Sequence, residues 1–167
     1  MQVRSDSRGR QFSDLAARAS LPVEVTTSVE EALVGTDVVI TATNAVEPVV
    51  CADLLADVSL FVSLGSFAPG RCEFGRDVVE RASRIVVDDV ATVAQQSGPI
   101  VDAIQCGHLD QRSLHSLGHI LSEPSSRQSA PGLTLYVSVG LGIQDAALAD
   151  LLLTRAEVAD SGRRMTI

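Results

Sequence analysis

The chain of 167 residues contains no lysine and no tryptophan, and its aromatic content is 3%. Without lysine no Schiff base can form on this chain, and no ammonium side chain can serve as an acid or base. With so few aromatics the core must be built from Val, Leu, Ile and Ala, a palette that suits parallel strands buried on both faces. Cysteines number three (Cys51, Cys72 and Cys106), odd and widely spaced, so they read as reduced, buried or half-buried thiols and not as a disulfide framework. Positive charge is also short: 13 arginines face 21 acids for a net charge of -8, which excludes a nucleic-acid partner because phosphate binding needs a basic patch. No apolar run is long enough to span a membrane and no export signal opens the chain, so no membrane partner and a cytoplasmic location are expected. The phosphate-cradling pattern G-x-G-x-x-G is missing as well.

What is present is ordered strand-helix punctuation. Phe12, Leu15, Ala16 and Ala19 recur at helical spacing, and Pro22 ends that helix. Residues 22–26 alternate as a short strand. Ser28 and Glu31 form a capping box for a short helix that Gly35 closes. Residues 37–43, 59–64 and 83–88 are β-branched runs with the texture of buried parallel strands. Stretches 52–56, 75–82, 90–96 and 100–104 are helix-compatible, with Gly98-Pro99 as a break. Residues 114–121 read as a short helix, 123–132 as a Ser/Pro-rich loop, 133–139 as the last strand and 143–159 as a long Ala/Leu-rich helix. Strand and helix alternating in this way predict an α/β fold with a mostly parallel sheet flanked by helices.

Four blocks, in order, resemble the ornithine cyclodeaminase/mu-crystallin family. They are residues 29–43 with Glu47-Pro48-Val49, Leu64-Gly65-Ser66 running to Glu73, Val86-Val87-Asp88-Asp89, and residues 134–145. The resemblance implies a Rossmann-like domain serving amino-acid or imino-acid redox chemistry, with relatives of the ornithine cyclodeaminase, alanine dehydrogenase and ketimine or pyrroline-carboxylate reductase types. It also implies incompleteness. A family chain is longer, and opens with a substrate and dimerisation region and a first Rossmann strand with its glycine-rich turn. On that reading residues 1–142 are a partial NAD(P)-binding domain, and residues 143–167 are a helix and tail returning toward the dimerisation region. Such a fragment would be inactive alone and would expose apolar sheet edges. No catalytic residue is therefore assigned to it. Completed by the missing region it would take a small amino or imino acid and form a homodimer. The alternative is a non-enzymatic relic or nucleotide-binding module of mu-crystallin type. Phe67 stands where the cyclodeaminase proper has a catalytic Asp, which favours the reductase and dehydrogenase branch.

The same resemblance, with the rule that open α/β sheets bind ligands beyond the carboxyl ends of their strands, marks the cofactor contacts. Asp6, with Ser7 beside it, follows the second Rossmann strand, where an acid accepts from ribose hydroxyls and repels a 2'-phosphate; this points to NAD, while Arg8 and Arg10 keep NADP open. Thr41, Thr43 and Asn44 end a strand taken as central, and their hydroxyls are suited to ribose or phosphate. Leu64, Gly65 and Ser66 end the next, with Gly65 allowing close approach of a ring and Leu64 packing on its face. Ser138, Val139 and Gly140 end the last, with backbone groups that can orient a carboxamide. Outside this set, Arg71 and Glu73 read as a surface ion pair or a helix-start acid, and Asp88 as the cap of the helix that follows it. His115 and His119 fall four apart on a helix face without a third ligand, so no metal site is expected.

Overall fold

The computed structural model describes residues 6–123, 131–163 and 165, with side chains described from residue 9 onward. Five strands run parallel in the order β1-β2-β5-β3-β4: β1 Val38–Thr41, β2 Leu60–Ser63, β3 Arg84–Val87, β4 His115–Ser116 and β5 Thr134–Val137. The helices are α1 Asp6–Arg18, α2 Val29–Leu33, α3 Arg76–Arg81, α4 Val90–Gln96, α5 Gly98–Gln105, α6 Leu117–Ser122 and α7 Gly142–Val158. A 3-10 turn over Ala52–Leu55 links β1 to β2. No helix among the described residues is long and apolar enough to cross a membrane.

Register explains where the core sits. Val39, Phe61, Leu135 and Ile85 lie side by side across four strands and all are buried; so are Thr41, Ser63, Val137 and Val87 one step on. That face packs against Leu55, Val78, Val79, Val93, Ile100 and Ala103 from the 3-10 turn and helices α3 to α5, and Phe74 meets Phe61 edge to face at 5.7 Å. The opposite face is only partly covered: Val38 and Ile40 are 50% and 63% exposed, while Leu60, Val62 and Tyr136 are half-buried. The expectation of strands buried on both faces holds for β3, where Val86 is buried as well, and only on one face for the others.

Several local expectations are corrected. The strand ending in Thr41 is an edge strand of the described sheet, not a central one. Residues 22–25 are not in a strand, and Thr26 makes an isolated bridge. Gly98-Pro99 separates two helices but lies inside the first turn of α5, where proline is tolerated because its missing N–H would have no intrahelical partner. His115 belongs to β4, paired beside Val86, and His119 to α6, so the two do not share a helical face. Ser28 caps α2 by accepting from the Glu31 amide, but the Glu31 carboxylate turns to the Thr26 hydroxyl, leaving the capping box half made. Of the four apolar residues on α1, Ala16 alone is buried. Cys51 and Cys106 are exposed and only Cys72 is half-buried, where burial pushes its thiol up.

Candidate functional site

Parallel pairing in a common register brings three strand tips to one end of the sheet. Thr41 pairs with Ser63 and Ser63 with Val137, and the chain continues the ladder beyond them: the Leu64 amide donates to the Thr41 carbonyl at 2.9 Å and the Ser138 amide to the Ser63 carbonyl at 3.1 Å. Thr43 and Asn44, Leu64 to Ser66, and Ser138 to Gly140 are therefore neighbours at the carboxyl end of the sheet, the end where open α/β sheets form their ligand crevice. The side chains of Asp6 and Ser7 lie outside the described residues; their backbone opens α1.

Glu73 holds two of these tips. Its side chain is completely buried, and the carboxylate accepts five hydrogen bonds: from the Thr41 hydroxyl at 2.8 Å, the Thr43 amide at 2.6 Å and hydroxyl at 2.8 Å, the Ser63 hydroxyl at 2.7 Å and the Gly65 amide at 2.7 Å. Its own amide donates to the Ser66 hydroxyl, and its carbonyl accepts from the amides of Val49 and Val50. Burial alone would raise the carboxyl, but the hydrogen bonds from Ser63, Thr43, Gly65 and Thr41 outweigh it and hold the group below its ordinary value of 4.5. The reading of Glu73 as a surface or helix-start acid is thus overturned. Gly65 has a corresponding role, since a Cβ there would collide with the Thr43 carbonyl and the Glu73 carboxylate. Its glycine is required by the protein's own packing.

Asp88 does for β5 what Glu73 does for β1 and β2. One of its oxygens accepts from the Ser138 hydroxyl at 2.9 Å and from the amides of Val139 at 2.9 Å and Gly140 at 3.0 Å; the other accepts from Asp89. The cap of α4 is Asp89, which takes the Thr92 amide at 2.8 Å and hydroxyl at 2.6 Å. The adjacent acids divide the work expected of Asp88 alone.

What the crevice offers a ligand follows from what is already used. The hydroxyls of Thr41, Thr43, Ser63, Ser66 and Ser138, and the amides of Thr43, Gly65, Val139 and Gly140, are all engaged by internal partners. Exposed along the rim are Asn44, Leu64, Phe67 and Gly140, with the Arg71 guanidinium donating to the Asn44 carbonyl and lying 5.8 Å from the Phe67 ring centroid. Arg71 therefore makes a cation–π contact here, not the ion pair expected from sequence. The rim thus combines two apolar side chains, Leu64 and Phe67, with the Asn44 amide and the Arg71 guanidinium, the latter already committed to Asn44 and Phe67.

The sequence held a hint of one of these acids, Glu73, though not of which groups it meets. The segments T-x-T and S-x-x-S crowd hydroxyls at two strand ends, and Glu73, set between Cys72 and Phe74, is the nearby acid able to satisfy them; its place in the Leu64–Glu73 block carried the same hint.

Comparison with known proteins settles the lineage. The model of the ornithine cyclodeaminase/mu-crystallin family matches residues 2–160. The chain belongs to that family. It is 30% identical over 165 residues to a Delta(1)-pyrroline-2-carboxylate reductase of Bacillus cereus, covering 97% of this chain and 50% of that protein. The structure of Thermococcus litoralis Delta(1)-pyrroline-2-carboxylate reductase in complex with NADH and L-proline superposes with a TM-score of 0.83 at 25% identity, over 97% of this chain and 51% of that one. An archaeal alanine dehydrogenase dimer with bound NAD gives 0.79 at 25% identity, over 95% and 49%. The chain spans about half the length of the relatives it matches. The α/β, mostly parallel sheet with flanking helices and a long final helix is the Rossmann-like architecture that the resemblance implied.

Proposed function

We propose that this chain is the nicotinamide-dinucleotide-binding part of an NAD-dependent oxidoreductase acting on an amino or imino acid, on the reductase or dehydrogenase side of its family. The observation that carries the reading is the side-by-side placement of the β1, β2 and β5 tips, fixed by Glu73 and Asp88, with Leu64 exposed between them. Relatives with NADH or NAD bound in their solved structures support NAD as the cofactor, with NADP the lesser alternative because Asp6 would repel a 2'-phosphate. Phe67, standing where the cyclodeaminase proper has its catalytic Asp, argues against the ammonia-releasing cyclodeaminase reaction. The three unpaired cysteines suit a reducing cytoplasm, and a related structure described as a dimer supports a homodimer for the complete protein.

The chain itself supplies no lysine and no glycine-rich phosphate turn, so the substrate-binding and pyrophosphate-binding work falls to residues beyond it. Bound, the nicotinamide would supply the hydride donor (NADH) for an imino acid or the acceptor (NAD) for an amino acid; this chain's part is to hold and orient the ring against the substrate carbon. The test is a chimaera in which the chain follows the preceding half of the Bacillus cereus reductase. NADH consumption with a cyclic or open-chain imino acid is the expected result. A folded chimaera that fails to bind NADH would contradict the proposal. One that binds NADH but turns over none of these substrates would select the second reading, a dinucleotide-binding module without catalysis, which the missing lysine favours.

A further inference from the structure

Two facts about the crevice combine. Its four strand-tip amides, on Thr43, Gly65, Val139 and Gly140, all donate to carboxylates and have nothing left for an anion. The two carboxylates, Glu73 fully buried and Asp88 9% exposed, only accept hydrogen bonds, and among the described residues neither is in a salt bridge with an arginine or histidine. A negative charge held out of water among neutral donors is screened far less than one in water. Arg71 stands at the rim against these two acids, committed to the Asn44 carbonyl and the Phe67 ring, so the floor of the crevice is negative on balance.

We infer that Glu73 and Asp88 are specificity-determining residues, making the strand-tip crevice select a positively charged aromatic ring over a neutral one of the same shape. The inference rests on the dinucleotide-binding reading and deepens it. The oxidised nicotinamide ring is a cation and the reduced ring is neutral, so the crevice holds the oxidised form more tightly. Its lining also turns phosphate away from these tips, which leaves only the ring end of a dinucleotide to occupy them.

The experiment is an amide-resolved NMR titration of the full chain with four probes: the ring-methylated nicotinamide cation, its neutral isostere meta-toluamide, inorganic pyrophosphate and NADH. The cation is expected to shift the amides of Leu64, Ser66 and Gly140 and to bind about tenfold more tightly than meta-toluamide, the size of effect that partly screened charges produce across a crevice. Asp88→Asn, which keeps an acceptor for Val139 and Gly140, should narrow that ratio to about threefold or less. If the Asn variant does not fold, the ratio in the unsubstituted chain decides. Equal affinities for cation and isostere there would overturn charge selection while leaving the crevice as a ring site. Pyrophosphate shifting the Thr43, Gly65, Val139 and Gly140 amides would overturn the argument from used-up donors. Tip amides that stay still with every probe, NADH included, would overturn the underlying dinucleotide reading.

Discussion

Removing the Glu73 carboxylate leaves five donors without a partner, two of them backbone amides that cannot turn away. Glu73→Ala should therefore cost about 3 kcal/mol or more in urea denaturation, since each buried unsatisfied group costs about 1–3 kcal/mol. Glu73→Gln should be little better, because backbone amides point at both of its side-chain atoms and its –NH2 can accept from neither. The same group sets an acid limit. Its carboxyl lies below 4.5 in the folded chain, so its contribution is fully present above that value and is lost as pH falls through the folded pKa. Stability measured against pH should hold level above about 5 and fall below about 4.5; a Glu73→Ala chain should show a shallower fall. Gly65→Ala should destabilise by about 3 kcal/mol or more through backbone collision, whereas Gly70→Ala, where a Cβ meets nothing within 4 Å, should be neutral.

At the scale of elements, the two neighbouring acids after β3 separate cleanly. Asp88→Ala should speed hydrogen exchange at Val139 and Gly140 by about tenfold or more while leaving α4 protected. Asp89→Ala should fray the first turn of α4 and leave those two amides unchanged. Much of this level is legible in the sequence. The β-branched runs at 37–43, 59–64, 83–88 and 133–139 became β1, β2, β3 and β5 because such side chains pack well on a pleated, half-buried surface. Short elements were harder. Residues 22–25 alternate but are in no strand among the described residues, and His115 enters a strand because β3 offers an edge, which helical spacing does not reveal. At the crevice, the strand ends were legible from fold rules, but the direction of their hydroxyls was not. Thr41 and Thr43 turn inward to Glu73, a residue thirty and more positions away in sequence, and no local pattern encodes that pairing.

At the scale of the whole molecule, the described sheet leaves one face and one edge unfinished. β1 is apolar on its open face and pairs on its outer side with no strand among the described residues, and α7 carries Leu148, Leu151, Leu152 and Leu153 exposed with no buried residue. An apolar edge strand and a helix apolar on several sides are surfaces that stable monomers cover. The chain alone should therefore self-associate, with a weight-average mass in sedimentation velocity that rises with concentration. Charged substitutions at Ile40 and Leu152 should shift it back toward the monomer.

If the β1, β2 and β5 tips form one ligand-binding crevice, a single ligand must touch all three. Titration of the full chain with NADH, followed at individual amides, addresses that directly. Asn44, Leu64, Ser66 and Gly140 should move together along one binding curve, weak because the chain lacks the phosphate turn. Shifts confined to a single tip, or gathered at the opposite end of the sheet around Val38, Leu60 and Thr134, would contradict it.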